Sequence, residues 1–129
     1  MRIRKYSQKR EAILLKIQST DCHPTADWVF QELRGEYPDL SLATVYRNLA
    51  LFEEEGTITS IGSINGQERF DGITYPHGHF ICRQCYCIFD IMLNAEQLSL
   101  AAIFESDSLY KVERMDVTAY GLCMTCFKQ

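Results

Sequence analysis

Two Cys-x-x-Cys pairs, Cys82-Arg83-Gln84-Cys85 and Cys123-Met124-Thr125-Cys126, carry the plainest chemistry in this 129-residue chain. Two thiolates three positions apart can turn back onto one ion, and two such pairs complete a tetrahedral site of the zinc-knuckle kind, with metal–sulfur bonds of about 2.3 Å. The pairs stand 37 residues apart, more than a compact zinc ribbon allows. A folded segment must lie between them, and a bound Zn2+ would pin the end of the chain to the start of its second half. The competing reading is a pair of reactive dithiols. The presence of two pairs weighs against it.

A second donor set surrounds the first cysteine pair. Asp71, His77, His79 and Asp90 lie close together in sequence. If residues 77–79 form a strand, both imidazoles leave the same face and can chelate, with the aspartates adding oxygen. Nitrogen and carboxylate donors without thiolate suit Fe(II), Mn(II) or Zn(II) and do not favour Cu(I). The chain has three histidines, so a third imidazole can come only from His23, far upstream. An ion joining His23 to the later donors would brace the two halves. Cys22 and Cys87 belong to neither pair. Each reads as a small buried residue, although Cys22, beside His23, is also placed to compete as a ligand or to oxidise.

The elements that must position these residues are legible in part. Tyr6, Arg10, Ile13, Leu14 and Ile17 keep helical spacing, which predicts an amphipathic helix over 5–19. Thr25 reads as the N-cap of a second helix with Ala26, Val29, Phe30 and Leu33 inward, ended by Gly35 and Pro38. Ser41 reads as the cap of a third, with Leu42, Val45, Leu49 and Phe52 inward. Ala43, Thr44, Arg47 and Asn48 are then expected outward, with Tyr46 at the boundary. Gly56 closes that helix, Thr57 to Ile61 alternates as a strand, and Asn65-Gly66 is a hairpin turn signal before Gln67 to Phe70 returns. Three helices and a hairpin are the order of a winged helix-turn-helix, whose third helix enters the major groove of DNA. Further on, Asn94 to Glu105 reads as a helix with an Asn94/Gln97 cap, and Tyr110 to Tyr120 as a strand. The expected architecture is α+β, with a winged-helix DNA-binding domain over 1–72 and a small α/β domain over 73–129.

The formal net charge of −4 does not advertise nucleic acid, but its distribution is uneven. Residues 1–52 hold eight Lys/Arg against six Asp/Glu, and residues 53–129 hold five against eleven. Arg2, Arg4, Lys5, Lys9 and Arg10 crowd the start, and local charge sets the field that a phosphate meets. On the outward face of the third helix Arg47 can bind a guanine edge or a phosphate, and Tyr46 can touch a thymine methyl. Ser41, Thr44, Tyr46, Arg47 and Asn48 are the candidate DNA contacts. The plainer alternative keeps Tyr46 in the core and Arg47 merely solvated. No apolar run approaches a membrane span, and Met1 to Lys5 lacks the apolar core of a signal peptide, so the cytoplasm is the expected compartment. There six cysteines suit metal sites or thiols better than disulfides.

At this point the chain resembles the Fur family of metal-dependent repressors. The matching segments are Ser7-Gln8-Lys9-Arg10-Glu11-Ala12-Ile13-Leu14, His23-Pro24-Thr25-Ala26-Asp27, Leu42-Ala43-Thr44-Val45-Tyr46-Arg47-Asn48-Leu49, Arg69-Phe70-Asp71, His77-Gly78-His79-Phe80-Ile81-Cys82 and the two cysteine pairs. The resemblance implies an N-terminal winged helix and a C-terminal dimerisation domain. It also implies structural zinc at Cys82, Cys85, Cys123 and Cys126, and a regulatory Fe2+ or Mn2+ at His23, Asp71, His77, His79 and Asp90. Iron-uptake members usually carry Glu where this chain has Asp71, and peroxide-sensing members carry Asp. The resemblance therefore implies a homodimeric repressor that releases its DNA operator when peroxide oxidises His23 or His77. A regulator of iron, manganese or zinc supply is the alternative. Two departures stand out: Tyr86 occupies a position where the family normally has Gly, and Pro76 replaces a residue that some members use in an extra metal site. An enzyme is not expected. The His-x-Glu and Pro-Cys-x-x-Cys of a zinc deaminase are absent, and a thiol oxidoreductase would need a reactive, low-pKa pair.

Overall fold

The chain divides into two units, Met1–Thr74 and Tyr75–Gln129. The computed structural model describes residues 2–75, 77–106 and 108–128, without the side chains of residues 2–7 and of Leu98. The basic side chains Arg2, Arg4 and Lys5, the Tyr6 side chain and Pro76 thus lie outside the described residues.

The first unit runs α1 (Arg2–Ser19), α2 (Ala26–Leu33), α3 (Leu42–Glu55), β1 (Thr59–Ile64) and β2 (Gln67–Asp71), a winged helix-turn-helix. Its core follows from helical spacing. Ile13 and Ile17 of α1, Ala26, Val29 and Leu33 of α2, and Val45, Leu49 and Phe52 of α3 are buried together with Leu40, Ile58 and Phe70. The caps form as their residue types predict. Thr25 Oγ1 accepts the Trp28 N–H, and Ser41 Oγ accepts the Thr44 N–H, each cap contributing about 1 kcal/mol. Gly56 takes φ 78° and ends α3, a backbone that other residues enter with difficulty. Asn65 and Gly66 have φ 53° and 82°, the two positive angles a type I′ turn needs, and pair Ile64 with Gln67. Lys9 meets Asp39 at 3.0 Å, and Arg10 meets Glu55 at 2.9 Å while lying 4.7 Å from the Phe52 ring centre. Such partly exposed ion pairs contribute roughly 0–1 kcal/mol, so the apolar core holds this unit.

The second unit contains β3 (Gly78–Cys82), β4 (Ile88–Ile91), α4 (Ala95–Leu98), α5 (Ala102–Glu105), β5 (Thr118–Gly121) and α6 (Met124–Phe127), with a 3₁₀ turn over Ser99–Ala101. The sheet order is β4-β3-β5. The β3 strand pairs antiparallel with β4 and parallel with β5. A parallel pair needs a crossover, and the segment carrying α4 and α5 supplies it.

Two expectations need correction here. The helix expected from Asn94 to Glu105 starts on its Asn94/Gln97 capping box but breaks into α4, the 3₁₀ turn and α5. Among its described side chains the large apolar Leu100, Ile103 and Phe104 are exposed, so they supply no buried stripe to hold a single longer helix. The strand expected over 110–120 shortens to Thr118–Gly121, because β5 pairs only with the short β3. The buried apolar side chains of this unit, among the described residues, are Ile81, Cys82 and Ile88.

Candidate metal centres

The parallel register of the second unit assembles the four thiols. Cys82 sits opposite Gly121, and the Arg83 N–H donates to the Gly121 carbonyl at 2.8 Å. That pairing carries Cys123 and Cys126 across the 37-residue gap to Cys82 and Cys85. All four Sγ atoms lie within 4.8 Å of one another, and Cys85 and Cys123 are 3.7 Å apart. A tetrahedral ion with bonds of about 2.3 Å has sulfur–sulfur edges of about 3.8 Å, so the donor set fits such an ion. The Cys85 N–H, donating to Cys82 Sγ, lowers the Cys82 thiol to about 5. Burial against the other sulfurs pushes Cys126 up to about 12. A thiolate at Cys82 is favoured by backbone N–H donation, and one at Cys126 is opposed by burial and by the neighbouring sulfurs. A divalent cation removes that opposition.

The turn after Cys85 keeps a glycine-like backbone without glycine. Tyr86 has φ 63°, and its N–H donates to the Cys82 carbonyl at 2.9 Å. A left-handed backbone costs an ordinary L-residue about 1–2 kcal/mol, so the knuckle holds this turn against a local preference.

The nitrogen and oxygen donors divide between the units. In the first, His23 and Asp71 are both buried, with His23 Nε2 3.7 Å from Asp71 Oδ2. The other carboxylate oxygen accepts the Ile73 N–H at 2.9 Å. The aspartate is thus oriented by its own turn, with one oxygen directed at the imidazole. Gly72 is required beside it, because a Cβ there would lie 2.8 Å from the Gln18 Cα.

In the second unit, His79 on β3 stands directly opposite Asp90 on β4, and His79 Nε2 is 3.4 Å from Asp90 Oδ1. His77, two residues earlier, reaches the same oxygen at 3.2 Å, and the two imidazole rings meet edge-on with centroids 4.5 Å apart. The shared face expected of His-x-His is therefore present. His77 Nδ1 lies 2.9 Å from the Tyr75 carbonyl. A carbonyl can only accept, so Nδ1 donates to it, which orients the ring as metal-binding histidines are oriented and turns Nε2 toward Asp90 Oδ1.

A model of the ferric uptake regulator family matches residues 3–120. The chain belongs to that family. This Fur-family chain is 34% identical over 125 residues to the peroxide operon regulator of Bacillus subtilis, covering 94% of itself and 83% of that protein. It is 34% identical over 119 residues to the peroxide-responsive repressor PerR of Staphylococcus aureus, covering 92% of itself and 79% of the relative. The solved structure of the Campylobacter jejuni peroxide stress regulator matches with a TM-score of 0.76 at 32% identity, over 95% of this chain and 91% of that one.

In the Fur-family chain the outward face of α3 presents Tyr46, half exposed, and Arg47, whose Nη2 donates to Thr44 Oγ1 at 3.4 Å. Ser41 and Thr44 share a 2.8 Å hydroxyl contact at the start of the helix. Asn48 departs from expectation. It is 1% exposed, with Nδ2 donating to the Thr44 carbonyl at 2.9 Å. It lies three residues after Val45 and four before Phe52, which puts it on the core stripe, and a buried amide cannot reach a base edge. Cys22 and Cys87, expected as small buried residues, are both exposed. Cys22 sits in the bend between α1 and α2, where Thr20 Oγ1 approaches its sulfur at 3.2 Å.

Two residues beside the site had no role assigned from sequence. One is Gly72, whose need appears only once α1 packs against it. The other is Arg69, which donates to the carbonyls of Cys22 and His23. Its signal was available, as a cation two positions before Asp71 on a strand shares its face.

Proposed function

We propose that this Fur-family protein is a metal-dependent transcriptional repressor of the cytoplasm, which binds double-stranded operator DNA as a homodimer and responds to peroxide. Zn2+ held by Cys82, Cys85, Cys123 and Cys126 maintains the second unit. Fe2+ or Mn2+ held by His23, Asp71, His77, His79 and Asp90 is the regulatory ion. The likeness along more than nine-tenths of the chain to two peroxide-responsive proteins carries the reading, and aspartate at position 71 agrees with it.

Neither unit offers a full ligand set of nitrogen and oxygen by itself. His23 and Asp71 supply two donors, and His77, His79 and Asp90 supply three. An ion that takes ligands from both restrains the winged helix with respect to the second unit and favours whichever arrangement suits two half-sites. Moving such an equilibrium from 1:99 to 99:1 takes about 5.5 kcal/mol of differential binding, within reach of a site that loses two ligands on opening. Fe(II), when bound, supplies the redox chemistry with peroxide that adds oxygen to a neighbouring imidazole. His23 and His77 are the imidazoles assigned that fate. An oxidised His23 donates poorly, the restraint is lost and the DNA is released. The protein consumes its own side chain in this response and turns over no substrate. On the DNA side, Arg47 and Tyr46 are the base or phosphate contacts, with Ser41 and Thr44 at the start of the helix.

A mobility shift on operator DNA tests this reading. Protein loaded with Fe(II) or Mn(II) binds, and micromolar peroxide abolishes binding of the iron form alone. Equal behaviour of both forms after peroxide contradicts peroxide sensing and leaves a regulator of metal supply.

A further inference from the structure

Arg69 leaves β2 toward the bend between α1 and α2. Its Nη2 donates to the Cys22 carbonyl at 2.8 Å, and its Nε donates to the His23 carbonyl. The next residue, Phe70, donates its N–H to the Pro24 carbonyl at 2.9 Å. Two successive residues of one strand thus hold three successive carbonyls around His23.

The segment they hold is conformationally costly. His23 is a non-glycine residue with φ 53°, and it precedes a proline, which restricts its backbone further. Such a backbone persists only where the surroundings over-determine it. Hydrogen bonds from a guanidinium are roughly twice as strong as neutral ones, and the planar fork fixes direction as well as distance. Asp71 follows two residues after Arg69 on the same strand, so both side chains leave one face. Its Oδ2 lies 3.7 Å from His23 Nε2.

We propose that Arg69 is a positioning residue of the regulatory metal site: its grip on the Cys22 and His23 carbonyls sets the His23 imidazole against the Asp71 carboxylate, so that an ion meets both donors already aligned. This rests on the reading of His23 as a regulatory ligand. Lysine at this position keeps the charge and loses the fork.

The test is a double-mutant cycle on the full chain with its zinc in place, using Mn(II) as the probe ion in calorimetric titrations. Arg69→Gln weakens Mn(II) binding by about 10- to 100-fold, the range for residues that orient metal ligands. His23→Ala weakens it as well, and the double variant binds no more weakly than His23→Ala, because Arg69 acts through that imidazole. Additive losses point to a general effect on folding and overturn the proposal. Unchanged affinity in Arg69→Gln beside a loss in His23→Ala also overturns it, while leaving the ligand reading intact. Unchanged affinity in His23→Ala removes the ligand reading itself, and this inference with it. Arg69→Lys, with a smaller loss expected, carries the same cycle where the glutamine variant does not fold.

Discussion

The first unit buries eleven apolar side chains in one core, while the second buries three among its described residues. Conversely, the second unit gathers four thiols within 4.8 Å, and no such group lies within the first among the described residues. A small unit with so little core needs a metal, a partner or both. Phe104, Leu109, Tyr110, Tyr120 and Phe127 of the second unit are all more than half exposed. Exposed apolar side chains of that kind suit the partner surface of the proposed homodimer. The same division separates the two donor sets. The thiol set draws all its ligands from one unit, so holding an ion there stabilises that unit alone. The proposed regulatory ion would draw its nitrogen and oxygen ligands from both, so a change at that ion would be felt by the winged helix. On that proposal, stabilisation and response are kept apart by where the ligands sit along the chain.

The comparison breaks most visibly at the thiols. Cys123→Ser removes one ligand from a site whose zinc affinity, by analogy with zinc-finger peptides, is worth about 10–16 kcal/mol of folding. Zinc content is expected to fall, with amide protection lost in β3–β5 and kept in α1–α3. Unchanged zinc stoichiometry would show that the cluster is not the holding device. The opposite variant, Phe52→Ala, empties the core of the first unit at a cost of about 3–5 kcal/mol. Denaturant unfolding followed by the helical signal should shift by that amount while the protein retains its zinc. The smallest effect belongs to Tyr86→Gly, which relieves a left-handed tyrosine beside Cys85. It should slow zinc loss to a chelator by a few-fold, consistent with about 1 kcal/mol of relieved strain.

Much of the first unit was legible because its signals are local. Thr25, Ser41, Gly56 and Asn65-Gly66 each fix a cap or turn through their own chemistry. The helical stripes of α1 to α3 announce their buried faces. Asn48 is polar by type but on the core stripe by position, and such an amide is buried when a backbone carbonyl one turn back can take its N–H. In the second unit the His-x-His face and both cysteine pairs were readable from spacing. The broken helix after Asn94 and the short β5 were not, because both depend on whether distant segments cover or pair with them. The φ of His23 and the carbonyl partners of Arg69, 46 residues away in sequence, are encoded by no local pattern, although the shared face of Arg69 and Asp71 was readable from their spacing.

The proposed peroxide response requires His23 and His77 to be bound to the ion that meets peroxide. Protein loaded with Fe(II), exposed to peroxide, digested and weighed peptide by peptide reads this directly. One added oxygen on the peptides carrying His23 or His77, absent after Mn(II) loading, is the predicted result. Oxygen confined to cysteine-containing peptides without those histidines, with both histidines unmodified while operator binding is lost, would contradict it.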